Sequence, residues 1–96
     1  MREVQRRKNR YEISLDGERV GVSTYRDAGN RRVFQHTEVD PDYTGQGLAS
    51  DLITWALDDV RSSGMRIVAQ CPMVAAYLEK HHDWDDIVDH PSGVEG

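Results

Sequence analysis

Val39-Asp40-Pro41-Asp42-Tyr43-Thr44-Gly45-Gln46-Gly47-Leu48-Ala49 is the stretch on which the fold turns. It reads as the end of a strand, a short loop with two glycines and the first turn of a long amphipathic helix. The first N–H groups of a helix have no intrahelical acceptor, and the helix dipole adds about half a positive charge where they emerge. Glycines at 45 and 47 remove the Cβ atoms that would hold a bulky phosphate off the backbone. The amides of Gln46, Gly47 and Leu48 are then open to a pyrophosphate. A tight strand-to-helix turn with no ligand is the competing reading, because short glycine motifs are common.

Downstream of the loop, Leu48, Ala49, Leu52, Ile53, Ala56, Leu57 and Val60 recur at helical spacing, and Gly64 supplies the stop. Met65, Ile67 and Ala69 then alternate with Arg66, Val68 and Gln70 as a strand that Cys71-Pro72 ends. Pro72 suits the first position of a second helix, expected over residues 73–81. Trp84, Ile87 and Val88 read as a short closing segment, and residues 90–96 as a flexible tail.

Upstream, Arg32-Val33-Phe34-Gln35-His36-Thr37-Glu38-Val39 is a strand that Pro41 closes, since proline cannot donate to a ladder. Before it, Tyr11, Ile13 and Leu15 alternate with Glu12 and Ser14, and Asp16-Gly17 suits a hairpin turn. Val20, Val22 and Thr24 continue the pattern, and Asp27, Gly29 and Asn30 mark a further turn. The expected fold is α/β (α+β): an antiparallel three-strand meander, a β-α-β unit with a parallel strand pair, and a second helix. Residues 1–9, polar and unpatterned, read as a flexible lead-in to a single domain over residues 10–89.

A β-α-β unit crosses over right-handedly and brings both strand ends to one edge. The glycine loop and Cys71 therefore share a rim, and open α/β sheets bind ligands at such rims. Cys71 would also stand at the start of the second helix, where the dipole favours a thiolate. A small buried residue packing at a strand end is the equally open alternative.

Composition narrows the function classes. Ninety-six residues make one core. The single cysteine excludes an internal disulfide and cysteine-cluster zinc. No apolar run is long enough to span a bilayer and no signal-type core opens the chain, so the expected compartment is cytoplasmic, with no membrane partner. A net charge of −5 argues against nonspecific nucleic-acid binding. Basic residues crowd the first third and acidic ones follow Glu38, a bias that could steer a cationic substrate or form only a solvated surface.

The run His36-Thr37-Glu38-Val39, then Pro41, then Gly45-Gln46-Gly47-Leu48-Ala49, then Cys71-Pro72-Met73-Val74-Ala75-Ala76-Tyr77-Leu78-Glu79-Lys80-His81 resembles the small single-domain N-acetyltransferase-like proteins of the GCN5-related N-acetyltransferase (GNAT) superfamily. The resemblance covers residues 11–88. It implies acetyl-CoA as cofactor, its pyrophosphate on the amides of Gln46, Gly47 and Leu48, beside Thr44, Gly45 and Ala49. The pantetheine arm is implied along Glu38 and Val39 and the segment 68–70. Cys71 matches the cysteine proposed as catalytic in this subfamily.

Two departures stand out. Asp42 occupies a position where most members carry Arg or Gln, and Thr44 one where a basic residue is frequent. A carboxylate there weakens pyrophosphate binding unless it points away or an arginine from elsewhere compensates. Leu78 takes the place of the tyrosine that larger relatives use to protonate the departing thiolate, and Tyr77, one residue earlier, would face about 100° away.

Acetyl transfer needs an uncharged nucleophile, usually an amine, and a proton source for the leaving thiolate. Cys71 is the candidate at the acetyl end, as nucleophile or as proton donor. His36 and Glu38, on one face of their strand, are candidate bases. The expected function is acetyl transfer to a small-molecule or peptide amine, with a second subunit or a partner protein completing the acceptor pocket. A non-catalytic CoA- or acyl-CoA-binding module and a thiol redox sensor are the readings it competes with.

Overall fold

The computed structural model describes residues 1–89. The tail expected over 90–96 lies outside the described residues. Six strands form one sheet in sequential order: β1 (Arg2–Arg6), β2 (Arg10–Leu15), β3 (Glu18–Ala28), β4 (Arg31–Val39), β5 (Arg66–Ala69) and β6 (Val88–Asp89). The first four are antiparallel, whereas β4 with β5 and β5 with β6 are parallel. Helix α1 (Leu48–Ser62) links β4 to β5, and α2 (Pro72–Lys80) follows β5. The meander thus contains one strand more than expected, and a two-residue strand closes the sheet.

The reading of residues 1–9 as a lead-in gives way to β1, which pairs with β2 from Arg2 opposite Leu15 to Arg6 opposite Tyr11. Its only apolar residue is Val4, too weak a period-2 signal to be read from sequence. Tertiary contacts supply the rest: Val4 packs against the core, and Arg6 pairs with Asp59 of α1 at 3.2 Å.

Alternation divides the sheet into two faces. Tyr11, Ile13, Tyr25, Phe34 and Ile67 point to one face and form a single core with Leu48, Leu52, Ile53, Ala56, Leu57 and Val60 of α1 and Val74 and Leu78 of α2. A register shift between Thr24 and Tyr25 leaves Gln35 as an extra residue in β4. This bulge puts Thr37 on the core face alongside Phe34 and sends His36 and Glu38 to the opposite face. Trp84 is buried, with its indole N–H on Asp58 at 3.0 Å, and Trp55 sits at the rim against Tyr11.

The C-terminal half of α1 is locked to the sheet by a buried polar cluster. Arg32, 6% exposed, makes a two-pronged pair with Asp27 at 2.8 and 2.9 Å and lies over the Tyr25 ring at 4.2 Å. Its other arm donates to the Tyr11 hydroxyl at 2.7 Å, which in turn donates to Asp59 of α1 at 2.8 Å. Burial pushes the ionisation of Tyr11 well above the ordinary phenol range, so this hydroxyl stays protonated. No buried side-chain nitrogen or oxygen lacks a partner among the described residues.

Candidate active site

After Val39 the chain makes a short 3-10 turn, Pro41–Tyr43, started by the Asp40 side chain accepting from the Asp42 amide at 3.0 Å. The loop then passes Gly45 at φ +84° and Gly47 at φ +74°, values that only glycine adopts without strain. Gly47 caps α1, which begins at Leu48, the first of the apolar residues at helical spacing. Asp51 N–H to Gly47 C=O is the first helical bond, and Gly47 supplies no side-chain cap, so the amides of Leu48, Ala49 and Ser50 have no protein acceptor among the described residues. A Cβ on Gly45 would meet nothing within 4 Å. The cradle expected from sequence is therefore open.

It opens into a cavity of about 300 Å³. It is lined by Val39 at the end of β4, Tyr43, Thr44, Gly45 and Gly47 of the loop, Leu48, Ala49 and Ser50 of α1, and Met73 of α2. Loop and second helix thus share a rim, as the topology required. Asp42 is exposed and does not line the cavity. Gln46 does not line it either; its carbonyl accepts from Arg2 on the β1 side.

Beside the loop the parallel strands separate. Pairing of β4 with β5 ends at Phe34 opposite Ala69, and the Phe34 carbonyl accepts from both the Gln70 and Cys71 amides, at 3.0 and 2.9 Å. From Gln35 to Val39, β4 has no strand on its β5 side among the described residues. The result is a wedge with its apex at Cys71 and its mouth at the glycine loop.

Cys71 occupies the N-cap of α2 with extended backbone and is only 2% exposed. Its thiol donates across the wedge to Thr37 Oγ1 at 3.4 Å, and Thr37 is hydrogen-bonded to the buried Ser23 hydroxyl at 2.9 Å. Among the described residues no histidine or carboxylate makes a hydrogen bond to this sulfur. Of the two readings left open for Cys71, its burial matches the small packed residue at a strand end, here with its thiol in a chain of hydroxyls.

A family model described as GCN5-related N-acetyltransferase matches residues 10–87. The chain belongs to this family. It is accordingly an N-acetyltransferase, of a family that uses acetyl-CoA. Among solved structures, a GCN5-like protein of Staphylococcus aureus is similar at 24% identity and TM-score 0.72, over 92% of this chain and 88% of that one. The ribosomal-protein-S18-alanine N-acetyltransferase of Escherichia coli shares the fold at 18% identity and TM-score 0.58, over 65% of this chain but 42% of its own. The PaiA N-acetyltransferase of Thermoplasma acidophilum, crystallised with coenzyme A, does so at 16% identity and TM-score 0.54, over 58% and 35%. No curated protein matches the chain.

In this acetyltransferase His36 and Glu38 are exposed and bonded to each other at 3.3 Å, on the face opposite α1 and α2. They are not brought together with Cys71, whose side chain meets Thr37 on the core face. Tyr77 is turned toward α1, its hydroxyl bonded to Thr54 at 2.5 Å and its ring stacked on His81, and Leu78 is buried. Neither reaches the wedge apex as a hydrogen-bond donor. Thr37, Ser23 and Met73 were not singled out from sequence. Ser23 carried no signal, because the alternation of Val20, Val22 and Thr24 puts it on the other face; a register shift between Ile13 and Ser14 leaves Val20 as an extra residue, and Val20, Ser23 and Tyr25 are the buried ones. Two larger hollows, of about 470 Å³ between α2 and β6 and about 630 Å³ between β1 and α1, present no unpaired helix amides. No helix among the described residues is long and apolar enough to cross a membrane.

Proposed function

We propose that this acetyltransferase binds acetyl-CoA with the diphosphate on the amides of Gly47, Leu48 and Ala49 and the pantetheine arm in the wedge between β4 and β5, and that it acetylates an amine. The observation that carries this reading is the continuity of two features: unpaired helix amides at the cavity, and an unpartnered strand edge leading from it to Cys71. Open space at the Gly45 Cβ position and the exclusion of Asp42 from the cavity make the residues present fit the group. Val39 and Thr44 border the cavity and complete the binding set.

When bound, the cofactor supplies an acetyl group activated as a thioester. The chain's own residues then have separate tasks. Unpaired β4 amides and carbonyls hold the arm as a partner strand would. Cys71 Sγ–H, already a donor to Thr37, turns its proton toward the leaving sulfur. Transfer to an amine would leave a thiolate for Cys71 to protonate and a nitrogen-bound proton for a base of the chain to remove. His36 or Glu38, at the edge of the open face, takes the proton that the nitrogen sheds and passes it to water, from which Cys71 is reprotonated. Proton donation is favoured over a covalent acetyl-cysteine because the hydrogen-bond partner of the thiol among the described residues is the Thr37 hydroxyl and not a base. The sheet face opposite α1 and α2 carries no helix among the described residues, and a partner protein or a second copy completes the acceptor side there.

Incubation with acetyl-CoA and a panel of polyamines, amino acids and lysine peptides, followed by peptide mass spectrometry, tests the reading. The expected result is an acetylated amine, unmodified Cys71, and slowed transfer in Cys71→Ala with CoA binding retained. Acetyl on Cys71 would replace donation by the covalent route. CoA binding without transfer to any amine would favour a binding module.

A further inference from the structure

We infer that Arg2, on the first strand, is a positioning residue for the phosphate loop. The inference rests on the proposed placement of the CoA diphosphate at that loop. The register of β1 sets it up: with Val4 opposite Ile13, residues 2, 4 and 6 point to the helix-bearing face. Arg2 is thereby carried to the start of α1, far from it in sequence. One arm of its guanidinium donates to the Gln46 carbonyl at 2.5 Å, and the other pairs with the Asp51 carboxylate in the first turn of the helix.

The consequence follows from the geometry of the peptide bond. In a trans peptide the C=O and N–H point to opposite sides of the chain. Holding the Gln46 oxygen toward β1 turns the Gly47 N–H away from β1, and Gly47 is among the residues that line the cavity. Gly47 at φ +74° has no Cβ to resist a rotated peptide, so the loop needs an external restraint to keep this orientation before a ligand arrives. A planar, two-armed guanidinium is suited to hold a carbonyl and a carboxylate together.

Charge points the same way. A cation beside a helix N-terminus is disfavoured by the dipole, and Asp51 offsets that cost in the free protein. An anion in the cradle would meet the free amides directly and feel the guanidinium, whose Nη1 lies 4.0 Å from where a Gly47 Cβ would stand, only through its charge, since Arg2 lines the hollow on the β1 side and not this cavity. Arg2 thereby adds a positive field behind the loop, where Asp42 and Thr44 add none, while both its arms stay on Gln46 and Asp51.

The test compares CoA with pantetheine, which lacks the diphosphate, by calorimetry on wild type, Arg2→Ala, Arg2→Gln and Arg2→Lys. Wild type must bind CoA; if it does not, the cofactor placement fails, a result separate from this inference. Given binding, Arg2→Ala should weaken CoA about tenfold and leave pantetheine unchanged, with Arg2→Lys intermediate. The Gly47 amide resonance of the ligand-free protein should shift in both Arg2→Ala and Arg2→Gln. If Arg2→Ala does not fold, Arg2→Gln carries the same comparison. Equal weakening of both ligands, CoA affinity within twofold of wild type, or an unmoved Gly47 amide in the folded variants overturns the assignment.

Discussion

The two ends of α1 are treated in opposite ways. Near its C-terminus, Asp59 receives the Tyr11 hydroxyl and Arg6, with Arg32 at 3.5 Å, and the polar groups there are spent on one another. At its N-terminus the amides of Leu48, Ala49 and Ser50 have no acceptor among the described residues, and the glycines before them leave space. A helix fastened at one end can hold its other end fixed and unsatisfied. That is the arrangement a preorganised anion site requires, since donors that are already aimed lose little on binding.

The largest effect should come from loosening the fastened end. Arg32→Ala leaves Asp27 and the Tyr11 hydroxyl without their buried partner, and breaking such a pair costs about 3–5 kcal/mol. Asp27 is partly exposed, which places the expected loss in chemical denaturation at the lower part of that range. A loss below about 1 kcal/mol would break the comparison, because the cluster would then not be what holds the helix.

At the open end, Gly47→Val forces a β-branched residue into the left-handed region, costing about 1–3 kcal/mol, and places a side chain at the cavity wall. CoA affinity should fall at least about tenfold, equivalent to about 1.4 kcal/mol. Unchanged affinity in a folded Gly47→Val protein would remove the diphosphate from this loop.

A pH series sharpens the contrast further. Hydrogen bonding to Arg32 holds Asp27 below the ordinary carboxylate range, and Arg10 does the same for Glu12. Their folded pKa values are depressed, so the stability they add is present above about pH 4 and is lost as pH falls below it, through the lowered values. Thermal midpoints should therefore decline on acidification below about pH 4, and by less in Asp27→Asn. An equal decline in that variant would show that the Arg32 pair does not contribute.

The smallest effect is expected at His36→Gln and Glu38→Gln. Both side chains are about two-thirds exposed, so stability should move by less than about 0.5 kcal/mol. A slower transfer rate without a stability change would mark either residue as the base; no change in rate would remove both from the chemistry.

How much of this was legible in the sequence follows the same division. The open end could be read because its signals are local: Gly45 and Gly47, Pro41 ahead of them, and apolar residues at helical spacing behind. Parallel pairing of β4 and β5 followed from the crossover rule, and with it the shared rim of loop and Cys71. The fastened end was hidden because its partners are far apart in the chain; nothing in residues 1–9 announces a strand, and nothing around Arg32 announces Tyr11 or Asp59. Cys71 was placed correctly at the start of α2, but its burial depends on Thr37, which reaches the core face only through the bulge at Gln35. A bulge shifts every later side chain to the other face, and no residue type near Gln35 marks it.

The most direct measurement is a heteronuclear NMR titration of the 15N-labelled protein with coenzyme A. The account predicts saturable shifts greatest at the amides of Gly47, Leu48 and Ala49, with a second group along Gln35 to Val39 and at Cys71. No shifts in a folded sample, or shifts confined to the hollow between α2 and β6, would contradict it.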